Sequence, residues 1–365
     1  MSETTTRIAI GNAAVERQPG GSSAGAAGEA VLSVQDLKVH FRVPRGGYPW
    51  SPKATLRAVE GVSFEIRRGE TVGLVGESGC GKSTLARAII GLTPVTAGSV
   101  RWRDTETVRD GHRPAAAMER LRKDVQMVFQ DPLASLDPRM TIEQIVAEPL
   151  KVQRPELGRD EVRARVLTML ERVGLGVHHL ARYAHEFSGG QCQRIGIARA
   201  LVGEPQLVIC DEPVSALDVS IQAQIVNLLR DLQRELSLSL LFVAHDLAVV
   251  KAISQRVLVM YLGRVMELGT RHEVYGSPQH PYTRALLSAV PRPDPAVERT
   301  RQHPVLTGEM PSPLNLPSGC AFRTRCPEAV AACAEEVPQP VSRGTGERRV
   351  ACIRVGVALK ADAVI

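Results

Sequence analysis

Apolar and polar residues alternate along VLSVQDLKVHFRV and again along LRAVEGVSFEI, the period of strands with one buried face. A Gly- and Pro-rich loop, PRGGYPWSPK, separates the two runs. Next, ETVGLVGESGCGKSTLARAIIGL passes from a continuous apolar strand through a glycine-rich turn into a helical pattern. From about residue 131 to 187 the pattern is mostly helical, punctuated by Pro and Gly. PQLVICDEP and SLLFVAHDL are short uninterrupted apolar runs, which predict buried strands, and RVLVMYLGRVMELG predicts a hairpin. Strands alternating with helices predict an α/β core around a parallel sheet.

Composition narrows the setting. The chain has 365 residues, 44% hydrophobic and 23% charged, enough for one large domain with appendages. Its net charge is +6, but no Lys/Arg block or basic–aromatic patch supports nucleic-acid binding. No segment reaches the roughly 18 apolar residues of a membrane span, since the best run, LSLSLLFVAHDLAVV, is broken by His245 and Asp246. The first thirty residues lack the basic and apolar segments of a secretory signal, and their Gly, Ala and Ser content predicts a disordered tail. A cytosolic setting is therefore expected, with the seven cysteines as reduced thiols or metal ligands. Beyond about residue 278 the chain turns proline-rich, and four of the cysteines lie at or after Cys320, marking a C-terminal extension.

The strongest chemical signal is GESGCGKST, which fits G-x-x-x-x-G-K-[ST] at Gly76, Gly81, Lys82 and Ser83 between a strand and a helix. Around Glu77, Ser78, Gly79 and Cys80 the backbone N–H groups can wrap phosphates, Lys82 can reach the outer phosphate oxygens, and the Ser83 hydroxyl, followed by Thr84, can hold Mg²⁺. Cys80 is a small loop residue or, with its thiol near a helix start, a redox sensor. In LVICDEP, Asp211 and Glu212 end an apolar strand. Carboxylates there suit either a helix cap or the ligand edge of a parallel sheet, with Asp211 in the metal shell and Glu212 polarising a water. His245 ends another strand in FVAHD, as a satisfied structural residue or a contact to the outer phosphate. A second anion-friendly feature is EFSGGQCQRIGIARAL, in which Ser188, Gly189, Gly190 and Gln191 open a helix.

Taken in order, the phosphate loop, SGGQ, CDEP and VAHD resemble the nucleotide-binding subunit of an ABC transporter, over about residues 31 to 275. The resemblance implies a P-loop NTPase cassette: a RecA-like core with a mainly parallel sheet, an antiparallel β subdomain and a helical subdomain. It implies ATP and Mg²⁺, with Glu212 as catalytic base and His245 as switch residue. Gln130, in MVFQDP, would sense Mg²⁺ and couple to the membrane partner, and Asp218, in SALD, would be the D-loop aspartate. Phe41, with Tyr48 and Trp50 as rivals, would stack on adenine. Two cassettes in this family dimerise head to tail, so Ser188 to Gln191 would cap ATP held by the partner's loop. Phe187 stands where Leu is commonest and Cys192 follows Gln191; neither change removes a phosphate-contacting group.

DPLASLDPRMTI, CDEPVSALDVSIQAQIVNLL and SPQHPYTRALLSAVP narrow the resemblance to the ATPase subunits of oligopeptide and dipeptide importers. It implies a peripheral motor subunit on the cytoplasmic face of the membrane, a paralogous ATPase partner in a heterodimer, two transmembrane permease subunits and an external substrate-binding protein. Dipeptides, cell-wall peptides and nickel complexes are alternative cargoes. A soluble ABC ATPase acting on ribosomes or DNA is the competing class, though this chain has neither a second cassette nor a long coiled-coil insertion. The expected division is a tail over 1–30, a cassette over 31–277 with its helical subdomain at about 131–187, an extension over 278–356 and a tail over 357–365. Cys320, Cys326, Cys333 and Cys352 are spaced C-x5-C-x6-C-x18-C, weakly zinc-like and compatible with an iron–sulfur cluster or with free thiols. The resemblance favours a [4Fe-4S] cluster.

Overall fold

A computed structural model of the chain describes residues 28–45, 52–290, 308–342 and 347–355. Tyr48, Trp50, the tail before residue 28 and the stretch 357–365 lie outside the described residues. In chain order the strands are β1 (Ala30–Pro44), β2 (Lys53–Arg67), β3 (Thr71–Val75), β4 (Ala97–Trp102), β5 (Thr105–Arg109), β6 (Val125–Val128), β7 (Leu207–Asp211), β8 (Ser239–Val243), β9 (Arg256–Tyr261), β10 (Arg264–Thr270), β11 (Val341–Ser342) and β12 (Arg349–Val350). The helices are α1 (Lys82–Ile89), α2 (Ala115–Asp124), α3 (Ile142–Gln153), α4 (Arg159–Arg172), α5 (Gly189–Leu201), α6 (Val219–Leu236), α7 (Leu247–Ile253), α8 (Arg271–Gly276) and α9 (Pro281–Ser288).

Among the described residues two sheets form. The alternating strands build an antiparallel sheet in the order β2-β1-β4-β5, and the continuous apolar runs build a larger sheet in the order β11-β12-β10-β9-β3-β8-β7-β6. Within the larger sheet, β6, β7, β8, β3 and β9 run parallel, and β10 and β12 extend it antiparallel, so the hairpin expected at RVLVMYLGRVMELG is present. Every residue of β3, β7, β8 and β9 is buried, which is why those strands read as unbroken apolar runs.

The period of two persists inside them. Leu207 and Ile209, Leu241 and Val243, and Leu258 and Met260 face a core shared with the antiparallel sheet and with Leu85 and Ile89 of α1. Val208 and Cys210, Leu240 and Phe242, and Val257 and Val259 face the opposite core, filled by α3, α5 and α6 together with Phe322, Cys320 and Cys333 of the C-terminal segment. Parallel strands bring their carboxyl ends to one edge. The phosphate loop after β3, Gln130 after β6, Asp211 and Glu212 at the end of β7, and His245 after β8 therefore converge from segments far apart in sequence.

Candidate nucleotide site

The phosphate loop folds as its glycines dictate. Gly76 and Gly81 hold φ of 157° and 104°. A Cβ on Gly76 would lie 2.2 Å from the Met260 carbonyl oxygen, and one on Gly81 would lie 2.1 Å from that of Ala58. Only glycine fits two backbones this close. Gly81 caps α1 without a side-chain hydrogen bond, so the first turn of that helix, starting at Lys82, Ser83 and Thr84, keeps its N–H groups for an anion. Ser78 and Gly79 form the exposed rim, and Cys80 is buried beneath it.

Lys82 is only 4% exposed, and its Nζ donates to the carbonyl oxygens of Gly76 (2.8 Å) and Glu77 (3.1 Å). It also lies 3.9 Å from Glu212 Oε1. Gln130 Nε2 donates to Glu212 Oε2 at 3.1 Å, and His245 Nδ1 lies 3.4 Å from the same oxygen. Three sequence-predicted residues thus meet at the carboxylate of a fourth. Glu212 sits in the left-handed backbone region at φ 46°, a strained conformation for a side chain of this size, and it ends a buried strand where the surrounding sheet enforces it.

Asp211 is fully buried. Ser83 Oγ donates to its Oδ1 at 2.7 Å. Its Oδ2 accepts no hydrogen bond; Arg87 Nη2 approaches to 3.5 Å, near enough for charge attraction but not for bonding. Burial raises the carboxyl above its usual range, against the Ser83 hydrogen bond and the positive charge of Arg87. An orphaned buried carboxylate oxygen beside a hydroxyl is a hard-oxygen donor set of the kind Mg²⁺ takes, and the residues fit that ion. Arg87 carries no motif signal beyond its place one turn after Ser83.

The second anion-friendly segment lies apart from this loop. Ser188 caps α5 with Gln191: the Gln191 N–H donates to Ser188 Oγ at 3.4 Å, and the Ser188 N–H donates to Gln191 Oε1 at 3.1 Å. Asp218 caps α6 by position alone. A Cβ on Gly190 would come 2.7 Å from Ile221 Cγ2, so this glycine has a packing reason that the sequence does not reveal. Among the described residues no hydrogen bond or ion pair joins residues 188–191 to 76–84. Phe41 is half-buried against the core of the antiparallel sheet.

Two expectations are corrected. The Cys80 thiol is pushed up by burial rather than lowered by the helix start, which removes the basis for a redox sensor. The iron–sulfur cluster at Cys320, Cys326, Cys333 and Cys352 is also overturned. Among the described residues no three His, Cys, Asp or Glu side chains are grouped to hold a metal ion. The four cysteines line a cavity of only about 20 Å³, the scale of one water. Burial pushes the Cys320 thiol up and that of Cys326 up to about 11, so both are protonated in the metal-free chain.

Sequence reasoning also misses a contact from behind. Both carboxylate oxygens of Glu77 accept from Arg325 Nη1 at 2.9 Å, and the Glu77 N–H donates to Tyr282 Oη at 3.0 Å. HPYTRAL marks Tyr282 as a subfamily feature without placing it at the loop. On the open side, a cleft of about 1840 Å³ leads from Ser78, Gln130, Glu212 and His245 to Glu148 and Val152.

The ABC transporter family matches residues 59–215, and the C-terminal region of the oligopeptide/dipeptide transporters matches residues 266–333. The oligopeptide transport ATP-binding protein OppF of Escherichia coli (strain K12) is 59% identical over 328 residues, covering 90% of this chain and 97% of that one. This chain belongs to the ATP-binding subunits of the oligopeptide/dipeptide ABC transporters. OppF of Salmonella typhimurium is 58% identical over the same share. Among solved structures, the dimeric bacterial ABC transporter cassette MJ0796 is 28% identical with a TM-score of 0.58, covering 66% of this subunit and 98% of that chain. The α/β cassette expected from the sequence is thus the fold of an ABC ATPase.

Proposed function

We propose that this subunit hydrolyses ATP to drive uptake of oligopeptides across the cytoplasmic membrane. The observation that carries the reading is the convergence of Lys82, Gln130 and His245 on the Glu212 carboxylate at the sheet edge. In this reading the loop from Gly76 to Thr84 cradles the phosphates, and Lys82 turns from the Gly76 and Glu77 carbonyls to the outer phosphate oxygens. Ser83, Asp211 and Gln130 hold Mg²⁺, which when bound neutralises phosphate charge. Glu212 accepts the proton of the water that attacks the γ-phosphorus as the bond to the departing ADP breaks. His245, half exposed at the mouth of the cleft, contacts the outer phosphate. Phe41 stacks on adenine.

Ser188 to Gln191 and Asp218 would complete the site of a partner cassette in a head-to-tail dimer, a paralogue rather than a second copy. Their separation from this chain's own loop supports that assignment. The cleft ends on exposed apolar residues, Leu92 at 54% and Val152 at 77%, a surface suited to a segment of a transmembrane permease subunit. No described helix is long and apolar enough to cross a membrane, so the pore is assigned to the two permease subunits and cargo capture to an external binding protein. Attachment at the cytoplasmic face goes with that division of labour, and the chain divides into a cassette over 31–277 and an extension over 278–356. Dipeptides, cell-wall peptides and nickel complexes are the alternative cargoes. Uptake of labelled peptides of two to about six residues, in cells with and without this gene, tests the reading. Loss of the longer peptides is expected, and unchanged uptake would leave the ATPase chemistry standing but reassign the cargo.

A further inference from the structure

Glu77 follows the first glycine of the phosphate loop, so an ionised carboxylate stands beside the place where a triphosphate binds. Like charges at such range, partly shielded from water, repel. Every polar group of Glu77 is engaged. Its N–H donates to Tyr282 Oη at 3.0 Å, and its carbonyl oxygen accepts from Lys82 Nζ at 3.1 Å and from the Cys80 N–H at 3.2 Å. Its carboxylate accepts from Arg325 Nη1 at 2.9 Å on both oxygens.

Arg325 lies 248 residues away in sequence, in the cysteine-bearing segment, and is 8% exposed. Its own N–H donates to the Phe322 carbonyl oxygen at 3.0 Å. Its guanidinium carbon stands 5.9 Å from the centroid of the Tyr261 ring. Phe322 packs against Tyr261 and Tyr282 at 5.4 and 5.2 Å between ring centroids, which locks the approach. Burying a guanidinium is costly unless it meets a counter-charge, and Glu77 is the carboxylate it meets.

Resting on the ATPase reading above, we propose that Arg325 is a positioning residue that neutralises Glu77, so that the C-terminal segment sets the ATP affinity of the phosphate loop. A side chain that merely held the tail in place would act whatever the charge at residue 77. A charge-compensating one becomes dispensable once that charge is removed.

The test uses the purified full-length chain and its dissociation constant for ATP with MgCl₂, together with melting in the absence of nucleotide. Arg325→Met is expected to weaken ATP binding by about five-fold or more, the low end of measurable coupling between sites. Combining it with Glu77→Gln is expected to return binding to within about two-fold of the wild type, since contacting residues couple non-additively. A double variant as weak as Arg325→Met, or an Arg325→Met chain that binds like the wild type, overturns the proposal. Where Arg325→Met melts too low to be titrated, Glu77→Gln alone decides. ATP bound at least as tightly as by the wild type supports the charge argument, and weaker binding overturns it. A wild-type chain that binds no ATP removes the ATPase reading itself and this proposal with it, an outcome visible before any variant is compared.

Discussion

The phosphate loop and the cysteine-bearing segment lie against each other, yet they treat their polar groups in opposite ways. Around the loop, groups are left waiting: Asp211 Oδ2 accepts no hydrogen bond, and α1 starts without a side-chain cap. Behind it, carboxylate oxygens are spent internally, although Thr283 Oγ1, Arg325 Nε and Arg348 Nε have no hydrogen-bond partner among the described residues. The buried Glu267 carboxylate accepts the N–H groups of Gln279 (3.0 Å) and His280 (3.0 Å). His280 Nδ1 accepts from the Tyr282 N–H at 3.0 Å, and the Cys320 N–H donates to the Cys333 carbonyl oxygen at 2.8 Å. Unspent buried polarity marks a surface built for a ligand, and satisfied polarity marks a buttress. Perturbing each region should therefore give a different readout.

The largest effect belongs to the waiting side. Glu212→Gln keeps the size of the side chain but removes its basicity. ATP hydrolysis should fall by about two orders of magnitude or more, the usual contribution of a general base, while ATP binding persists. Phosphate release and ATP binding on the same preparation check this, and retained turnover would remove Glu212 as the base. Next comes a matched pair of glycines. Gly81→Ala would drive a Cβ to 2.1 Å from the Ala58 carbonyl oxygen, and Gly319→Ala would drive one to 2.3 Å from that of Cys333, both at positive φ. Each change strains the fold by about 1–3 kcal/mol. Gly81→Ala should weaken ATP binding by about ten-fold because it deforms the loop itself. Gly319→Ala should lower the melting temperature and move ATP affinity far less; an equal loss of affinity in both would erase the contrast.

This contrast also governs what was legible in the sequence. The loop is encoded within nine consecutive residues, and unbroken apolar runs told which strands were buried, so the edge that gathers Asp211, Glu212 and His245 could be placed from local pattern, while Gln130 came from the family resemblance. The buttress could not. Arg325 and Glu77 are joined by packing across 248 residues, which no spacing reports. The spacing of the four cysteines is compatible with a metal site, but it carries nothing about side-chain direction, and the thiols enclose a cavity fit for a water. Gly190 shows that one residue can have two reasons: besides its place in the anion-friendly helix start, a Cβ there would come 2.7 Å from Ile221 Cγ2, which no local pattern reports.

The pH dependence sharpens the comparison further. Burial lowers the His280 imidazole from 6.5 to about 3. The folded chain holds it neutral, so its contribution to stability is complete above pH 6.5. Below that, the unfolded chain takes up a proton that the folded one refuses. Stability should then fall by about 1.4 kcal/mol per pH unit until the pH nears 3. His280→Asn keeps an acceptor for the Tyr282 N–H and removes the titration. Melting followed from pH 7 to pH 5 should drop less steeply in that variant than in the wild type, and parallel curves would rule His280 out.

Asp211 carries the opposite sign and the smallest expected effect. Its carboxyl is raised in the folded chain, by desolvation above all, so the ionised form resists folding at neutral pH and protonation relieves it as the pH falls. Asp211→Asn removes that charge while leaving an oxygen for the Ser83 hydroxyl at the same site. The nucleotide-free chain should gain about 1 kcal/mol of stability, within the usual range of a neutralised functional residue, and melt a few degrees higher. The same variant should bind ATP with less dependence on Mg²⁺, because the orphaned oxygen then carries no charge. Measured together, a higher melting temperature and a weaker Mg²⁺ dependence mean that the strain at this strand end serves the ligand. A lower melting temperature would mean that Asp211 is part of the buttress, and the division between waiting and spent polarity would have to be redrawn through the strand itself.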